Sequence, residues 1–275
     1  MKFKYIFILL NVTLFAFLAI LIVMPLFFAN SGTAGIAWQT NLPFVTFLAV
    51  VLIAFNTFYY INRQLFLLLE REDWPALARY LNIRVTEKGR YSPRLVRLLA
   101  NCYLVLSDSA AVMSLENKVA IAKPALVDAN VLLFGSARIL GDDIFGAMRF
   151  FDLRRKTAKG ALREWVRWYY GFTLLLNRQV EAAAEEFSLL AQVSKDAVIT
   201  GLSSFFLMDT LSHALPDQQG KFQEIAKQGG ERVRKTLPLQ KDWDREISRL
   251  SEEIHAAILS KYMQETGIWL YAPRQ

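Results

Sequence analysis

The chain has 275 residues, 54% of them apolar, with 32 basic and 25 acidic side chains and a formal net charge of +7. That excess is modest, and no basic stripe interleaved with aromatics occurs, which argues against a dedicated nucleic-acid binder. A single cysteine, Cys102, excludes an internal disulfide and suits a reducing compartment.

Residues 1–61 contain no Asp or Glu, and Lys2 and Lys4 are their only charges. Two apolar runs fill this stretch, one at 5–29 and one at 43–61. At about 1.5 Å of rise per residue, each run crosses a hydrocarbon core of roughly 30 Å as a helix. A helix also satisfies its own backbone polar groups in lipid. A cleaved signal peptide has an apolar core of only about 7 to 15 residues, and a buried helix of a soluble core needs a polar stripe or a large surrounding domain. The expectation is a membrane-spanning helical hairpin over residues 1–62. Lys2 and Lys4 precede it, and Arg63, Arg71, Arg79 and Arg84 follow it, whereas the gap from Asn30 to Leu42 has no basic residue. Positive residues stay cytoplasmic, so both termini and the main body are expected in the cytoplasm of a bacterium, with the protein a two-span inner-membrane protein. Tyr5, Trp38, Tyr59 and Tyr60 fall near the expected interfaces, where amphipathic aromatics sit. Asn11 and Asn56 are the strongly polar residues inside the runs and are expected to bond between helices.

From Gln64 onward the pattern is helical almost throughout, without persuasive strand alternation. Breaks at Ser92-Pro93, Gly141-Asp142, Lys159-Gly160, Ser194-Lys195 and Gly229-Gly230 divide it into helices. Ser92 reads as an N-cap with proline in the first turn, and Asp142-Asp143 as helix-capping residues. From Arg63 the net charge is +5, with 30 basic and 25 acidic residues, an excess that suits a body beside an anionic leaflet.

A period emerges along this body. Gly135, Ala147 and Phe151 recur, thirty-six residues on, as Gly171, Ala183 and Phe187. Ala100 and Val112 hold the corresponding places thirty-five residues earlier, and Ala76 and Tyr80 repeat the alanine and aromatic. The unit is a helical hairpin: a small residue midway along the first helix admits the second helix, and an aromatic fills the seam. This pattern resembles the tetratricopeptide repeat, whose period is about 34 residues. The clearest copy is Glu164 to Lys195, then Asp128 to Lys159; in Pro93 to Pro124, Glu116 stands at the aromatic position. The resemblance covers roughly residues 74–193 and implies an all-α fold. In it, the transmembrane hairpin is followed by TPR-like α-solenoid repeats over 63–215 and by C-terminal capping helices and a tail over 216–275. A generic helical bundle is the alternative.

If the repeat holds, first-helix residues line the inner wall of the superhelix. These would be Trp165, Trp168, Phe172, Leu175 and Leu176 in the best copy, and Ala129, Leu132, Ser136, Ile139 and Leu140 in the one before. Aromatics beside Arg163 and Arg167 have the composition of an interaction hot spot; inter-repeat core is the competing reading. Arg154, Arg155, Lys156, Lys159, Arg163 and Arg167 form the densest basic cluster, a solvated face or a site for anionic lipid or an acidic partner. Asp242 to Tyr262 carries an apolar stripe that serves either as a cap on the last repeat or as a homo-oligomeric coiled-coil contact.

Signals for chemistry are missing from the sequence. His213 and His255 have no second His or Cys at metal-ligand spacing, and no nucleotide-binding or nucleophile motif occurs. No catalytic, metal or cofactor residues are expected. The expected function is a non-catalytic, membrane-tethered scaffold that binds a protein partner, with the bilayer and anionic lipid as further contacts. By resemblance, bacterial membrane-bound repeat proteins serve in envelope, secretion and flagellar-motor collar assemblies. The alternative is an accessory subunit of a transport or channel complex.

Overall fold

The computed structural model describes residues 3–28, 34–250, 256 and 258–272. Lys2, Asn30, Glu252, Glu253, Ile254, His255 and Ala257 lie outside the described residues, as does the side chain of Trp38. The described residues are all α-helical in class, with no strand among them, and form two compact units, Met1–Tyr80 and Leu81–Gln275.

The first unit holds α1 (Phe3–Phe28) and α2 (Ala34–Glu70). Both are long and apolar enough to cross a membrane. α2 has 37 residues, about 56 Å at 1.5 Å per residue, and continues through Leu65–Leu69 to Glu70. It starts at Ala34, so most of the uncharged gap is helix. Pro43 lies inside α2, near the start of its apolar span at Asn41, where it removes one intrahelical donor and crowds the carbonyl one turn earlier. The two helices pack together through polar and aromatic contacts. Asn56 Nδ2 donates to Asn11 Oδ1 at 2.7 Å and to its own helix at Leu52 O, and the Phe7 ring stacks on Tyr59. Elsewhere the pair turns large apolar side chains outward, among them Leu9, Phe15, Phe47 and Ile53.

α3 (Trp74–Asn82) follows, then a π turn at Ile83–Glu87. The second unit is built of hairpins: α4 (Pro93–Val105) with α5 (Ser109–Ala122), then after the short α6 (Ala125–Ala129), α7 (Val131–Leu140) with α8 (Ile144–Arg155), and α9 (Gly160–Leu176) with α10 (Val180–Val193). Ser92 caps α4, its Oγ accepting from Leu95 N at 3.3 Å. Each helix packs on the next, and first helices of successive hairpins touch: α4 on α7, and α7 on α9.

The turns inside these three hairpins repeat one another and the turn between α2 and α3. Glu72, Ser107, Asp142 and Arg178 all have φ between 53 and 61°, at intervals of 35, 35 and 36 residues. At Ser107 the N–H bonds Leu104 O at 2.9 Å, and the next N–H, of Asp108, reaches back to Tyr103 O at 2.8 Å. The same two bonds recur at Asp142-Asp143 and Arg178-Gln179, which is the Schellman closure of a helix C-terminus. The following residue then caps the second helix: Asp73, Asp108 and Asp143 accept from the N–H three residues on at 2.9–3.1 Å. Capping therefore falls to Asp143, while Asp142 supplies the left-handed residue.

So sharp a reversal presses the helices together. A Cβ on Gly135 would lie 2.0 Å from the Phe151 ring, and one on Gly171 would lie 3.4 Å from Phe187. In the α4–α5 hairpin the residue at the aromatic position, Glu116, is buried and accepts from Arg138 at 2.6 Å. An ion pair there takes the place of the ring.

Beyond α10 come α11 (Ala197–Phe206), a π turn at Leu207–Leu211, α12 (Ser212–Ala214), α13 (Gln219–Thr236), α14 (Gln240–Leu250) and α15 (Ser260–Tyr271). Gly229-Gly230 does not break α13. A side chain at Gly229 would strike Ser204 Oγ at 2.1 Å, so glycine here serves close packing on α11. Nor is Asp242 to Tyr262 one helix, because the chain turns at Ile258-Leu259. Trp243, at the centre of its stripe, is fully buried against Gly201 and Gly267 and donates to Met263 O at 3.1 Å. That buried tryptophan belongs to this chain's own core and offers nothing to a coiled-coil partner.

A left-handed non-glycine residue costs roughly 1–2 kcal/mol. Arg178→Gly is therefore expected to raise stability by about 1 kcal/mol, read as a higher urea-unfolding midpoint, whereas Arg178→Val should lower it.

Candidate functional site

α9 touches α7, α8, α10 and α11, and this decides where its side chains go. Trp165, Trp168 and Phe172 are 6%, 0% and 4% exposed. They join Phe187 and Phe206 in a stacked cluster, with Trp168 on Phe172 at 5.3 Å and Phe187 on Phe206 at 5.2 Å. These rings form inter-helix core and do not line an open groove. Of the preceding set, Leu132 and Ser136 are buried as well, Ile139 is half-buried, and Ala129 and Leu140 are exposed. Leu175 is half-buried and Leu176 exposed.

The basic cluster divides in the same way. Arg155 and Arg167 both donate to the buried Glu186, at 2.8 and 3.0 Å, and Arg155 also lies over the Tyr170 ring. Arg154 pairs with Asp128 and covers Phe150. These three guanidiniums neutralise acids of their own chain, while Lys156, Lys159 and Arg163 stay exposed.

Arg163 and Arg167 nevertheless meet at one place. Where α9 begins, α10 ends and α11 begins, the chain leaves an open cleft of about 710 Å³, lined by Gly160, Arg163, Glu164, Arg167, Lys195 and Asp196 among others. Its walls are held by hydrogen bonds. Glu164 Oε2 accepts from Ser194 Oγ at 2.5 Å and from Lys195 N at 3.3 Å. Asp196 caps α11, accepting from Val198 N at 2.8 Å and Ile199 N at 3.1 Å. Arg232 closes the end of α10 by donating to the carbonyls of Ala191, Gln192 and Ser194. Burial pushes the Asp196 carboxyl above its usual range, against the pull of its two backbone donors and of Trp165.

Both acids are thus turned into the wall. Arg163 and Lys195 are exposed and have no ion-pair partner among the described residues. α9 starts with no side-chain cap, so its first N–H groups add partial positive charge at the same edge. The arrangement favours an acidic group. Among the described residues no cluster of His, Cys, Asp and Glu is placed to hold a metal, and burial raises the Cys102 thiol to about 11, which leaves it unreactive. Lys195 and Asp196 carried no site signal in the sequence beyond the break at Ser194-Lys195.

These features define an all-α protein in which two apolar helices precede a body of helical hairpins with a basic-edged cleft. The chain belongs to the family described as "Uncharacterised Treponema protein", whose model matches residues 111–272, the stretch that holds the cleft. A Treponema pallidum (strain Nichols) protein, described as "Uncharacterized protein", is 26% identical over 246 residues, 86% of this chain and 78% of its own. No solved structure matches the chain.

The raised Asp196 carboxyl fixes the sign of one prediction. The neutral acid is favoured on folding, so its contribution is fully present below pH 3.8 and is lost as pH rises through the higher folded value. Asp196→Asn keeps the cap and cannot ionise. It should match the parent in urea unfolding at acid pH and exceed it at neutral pH.

Proposed function

We propose that this protein is a non-catalytic scaffold, tethered by its N-terminal helix pair to a bacterial inner membrane, that holds a protein partner at the cytoplasmic face. The observation that carries the reading is the helix pair itself. Where its side chains are described, its outer surface is largely apolar over residues 4–23 and 42–61, and Asn11 and Asn56 spend their amides on each other and on their own helices. Such a surface is at home in hydrocarbon. Arginines after the second helix and none in the gap support a cytoplasmic body. The absence of any charge from the two runs leaves no evident relay, which favours a tether over a transport role.

The body reads as TPR-like repeats. Support comes from the four left-handed turns at near-constant interval and the matched glycine–phenylalanine contacts. A scaffold of this kind raises a partner's effective concentration at the bilayer, as in an envelope, secretion or flagellar-motor collar assembly. The partner contact falls at the Arg163–Lys195 edge of the cleft, which suits an acidic segment, and not on the buried tryptophans.

Two experiments test this. Protease added to spheroplasts should leave residues 63–275 intact, and digestion there would place the body outside. Arg163→Glu with Lys195→Glu should cut recovery of cross-linked partners from native membranes by roughly tenfold or more at unchanged helicity; replacing the helix pair with an unrelated hairpin should preserve recovery.

A further inference from the structure

α8 presents an outward face unlike those of its counterparts. Phe145, Arg149, Leu153 and Lys156 fall within about 80° of one another around a helix of 3.6 residues per turn. Phe145 is 58% and Leu153 68% exposed, large values for side chains of this size; Arg149 lies over the Phe145 ring, and Lys156 is exposed at the helix end. Leu140, at the end of α7 and five residues before Phe145, is 52% exposed as well. Of the nearby acids, Asp152 is engaged with Arg155 at 2.7 Å and Asp143 with Arg138 and the cap of α8, while Asp142, at the turn before α8, is exposed.

Measured from the left-handed turns, the same positions are Ala110, Ser114, Lys118 and Ile121 on α5, and Glu181, Glu185, Leu189 and Gln192 on α10. Neither set pairs two large apolar side chains with two cations, and the α10 set is acidic. The α8 face therefore does not follow from the hairpin architecture: α5 has one exposed large apolar side chain at these positions, Ile121, with a single cation, and α10 has two acids. Exposed aromatic and leucine side chains interleaved with Arg and Lys are the chemistry of a helix lying in a bilayer interface, apolar groups entering the headgroup boundary and cations meeting anionic lipid.

We infer that the Phe145–Lys156 face of α8 is a second membrane contact that docks on an anionic lipid surface. This rests on the tether reading, since one weak interfacial helix gives only reversible binding and the anchor supplies the local concentration. Its charge complementarity selects anionic lipid. Each cation near such a surface adds about fivefold to binding, so docking should depend on anionic headgroups.

The test uses the full chain in vesicles. Cys102 is buried, so Leu153→Cys provides a single reactive thiol for an environment-sensitive dye, and Ser114→Cys carries the same dye on α5 as the control. In phosphatidylglycerol-containing vesicles with spin-labelled lipid, the dye at 153 should be blue-shifted and quenched several-fold more than the dye at 114. Docking should weaken by roughly 25-fold or more with Arg149→Glu and Lys156→Glu, so that the difference falls with it, and it should largely disappear in phosphatidylcholine alone. Equal quenching at both sites in protein that floats with vesicles would overturn the contact while leaving the tether intact. Protein that does not float would remove the tether and this contact with it. A shift that follows protein concentration and ignores lipid charge would make the face a contact between copies, and the inference would fail.

Discussion

A single backbone residue at positive φ ends the first helix of each hairpin, and the distance between helices in the body follows from it. With only the left-handed residue and a capping residue to turn in, the second helix starts immediately and must lie against the first. Gly135 then becomes a necessity, because a Cβ there would overlap the Phe151 ring, while at Gly171 a Cβ would be only slightly tight against Glu186 Cβ and in ordinary contact with Phe187. The cost of a left-handed Ser107, Asp142 or Arg178 is offset by two backbone bonds that close the helix end and by a cap at the next residue in the first two.

The same closeness explains the buried charges. Glu116 and Glu186 sit between helices where water is scarce, and each is met by guanidinium, Arg138 for one and Arg155 with Arg167 for the other. A paired buried acid adds little net stability, yet removing either partner leaves an uncompensated charge. These pairs are therefore weak contributors to core stability that are costly to break. They also account for the cleft's character, because the acids nearby are already engaged and the cations left over face outward.

The elements were legible where the sequence states a local rule. The apolar runs, the Ser92 cap and the glycine–phenylalanine spacing each follow from residues close in sequence. The turns were harder, since Ser107, Asp142 and Arg178 occupy a conformation usually signalled by glycine. α9 misled for a different reason. It carries apolar side chains nearly all round because helices surround it, and periodicity alone does not distinguish a groove wall from a seam. Gly229-Gly230 reads as a break until Ser204, twenty-five residues earlier, is brought against it. The cleft depends on contacts between residues some thirty positions apart, such as Glu164 with Ser194 and Lys195, and no short motif announces them.

Arg232 holds three carbonyls at the end of α10 from a helix forty residues further on, and the Tyr262 ring packs at a tilt against Phe206 and edge-on to Phe172. The last quarter of the chain is thus part of the interior rather than an appendage. A nonsense change anywhere ahead of α13 would leave a ribbon of unshielded rings and open carbonyls. Genetically, such alleles should behave as complete losses rather than as shortened, partly working forms.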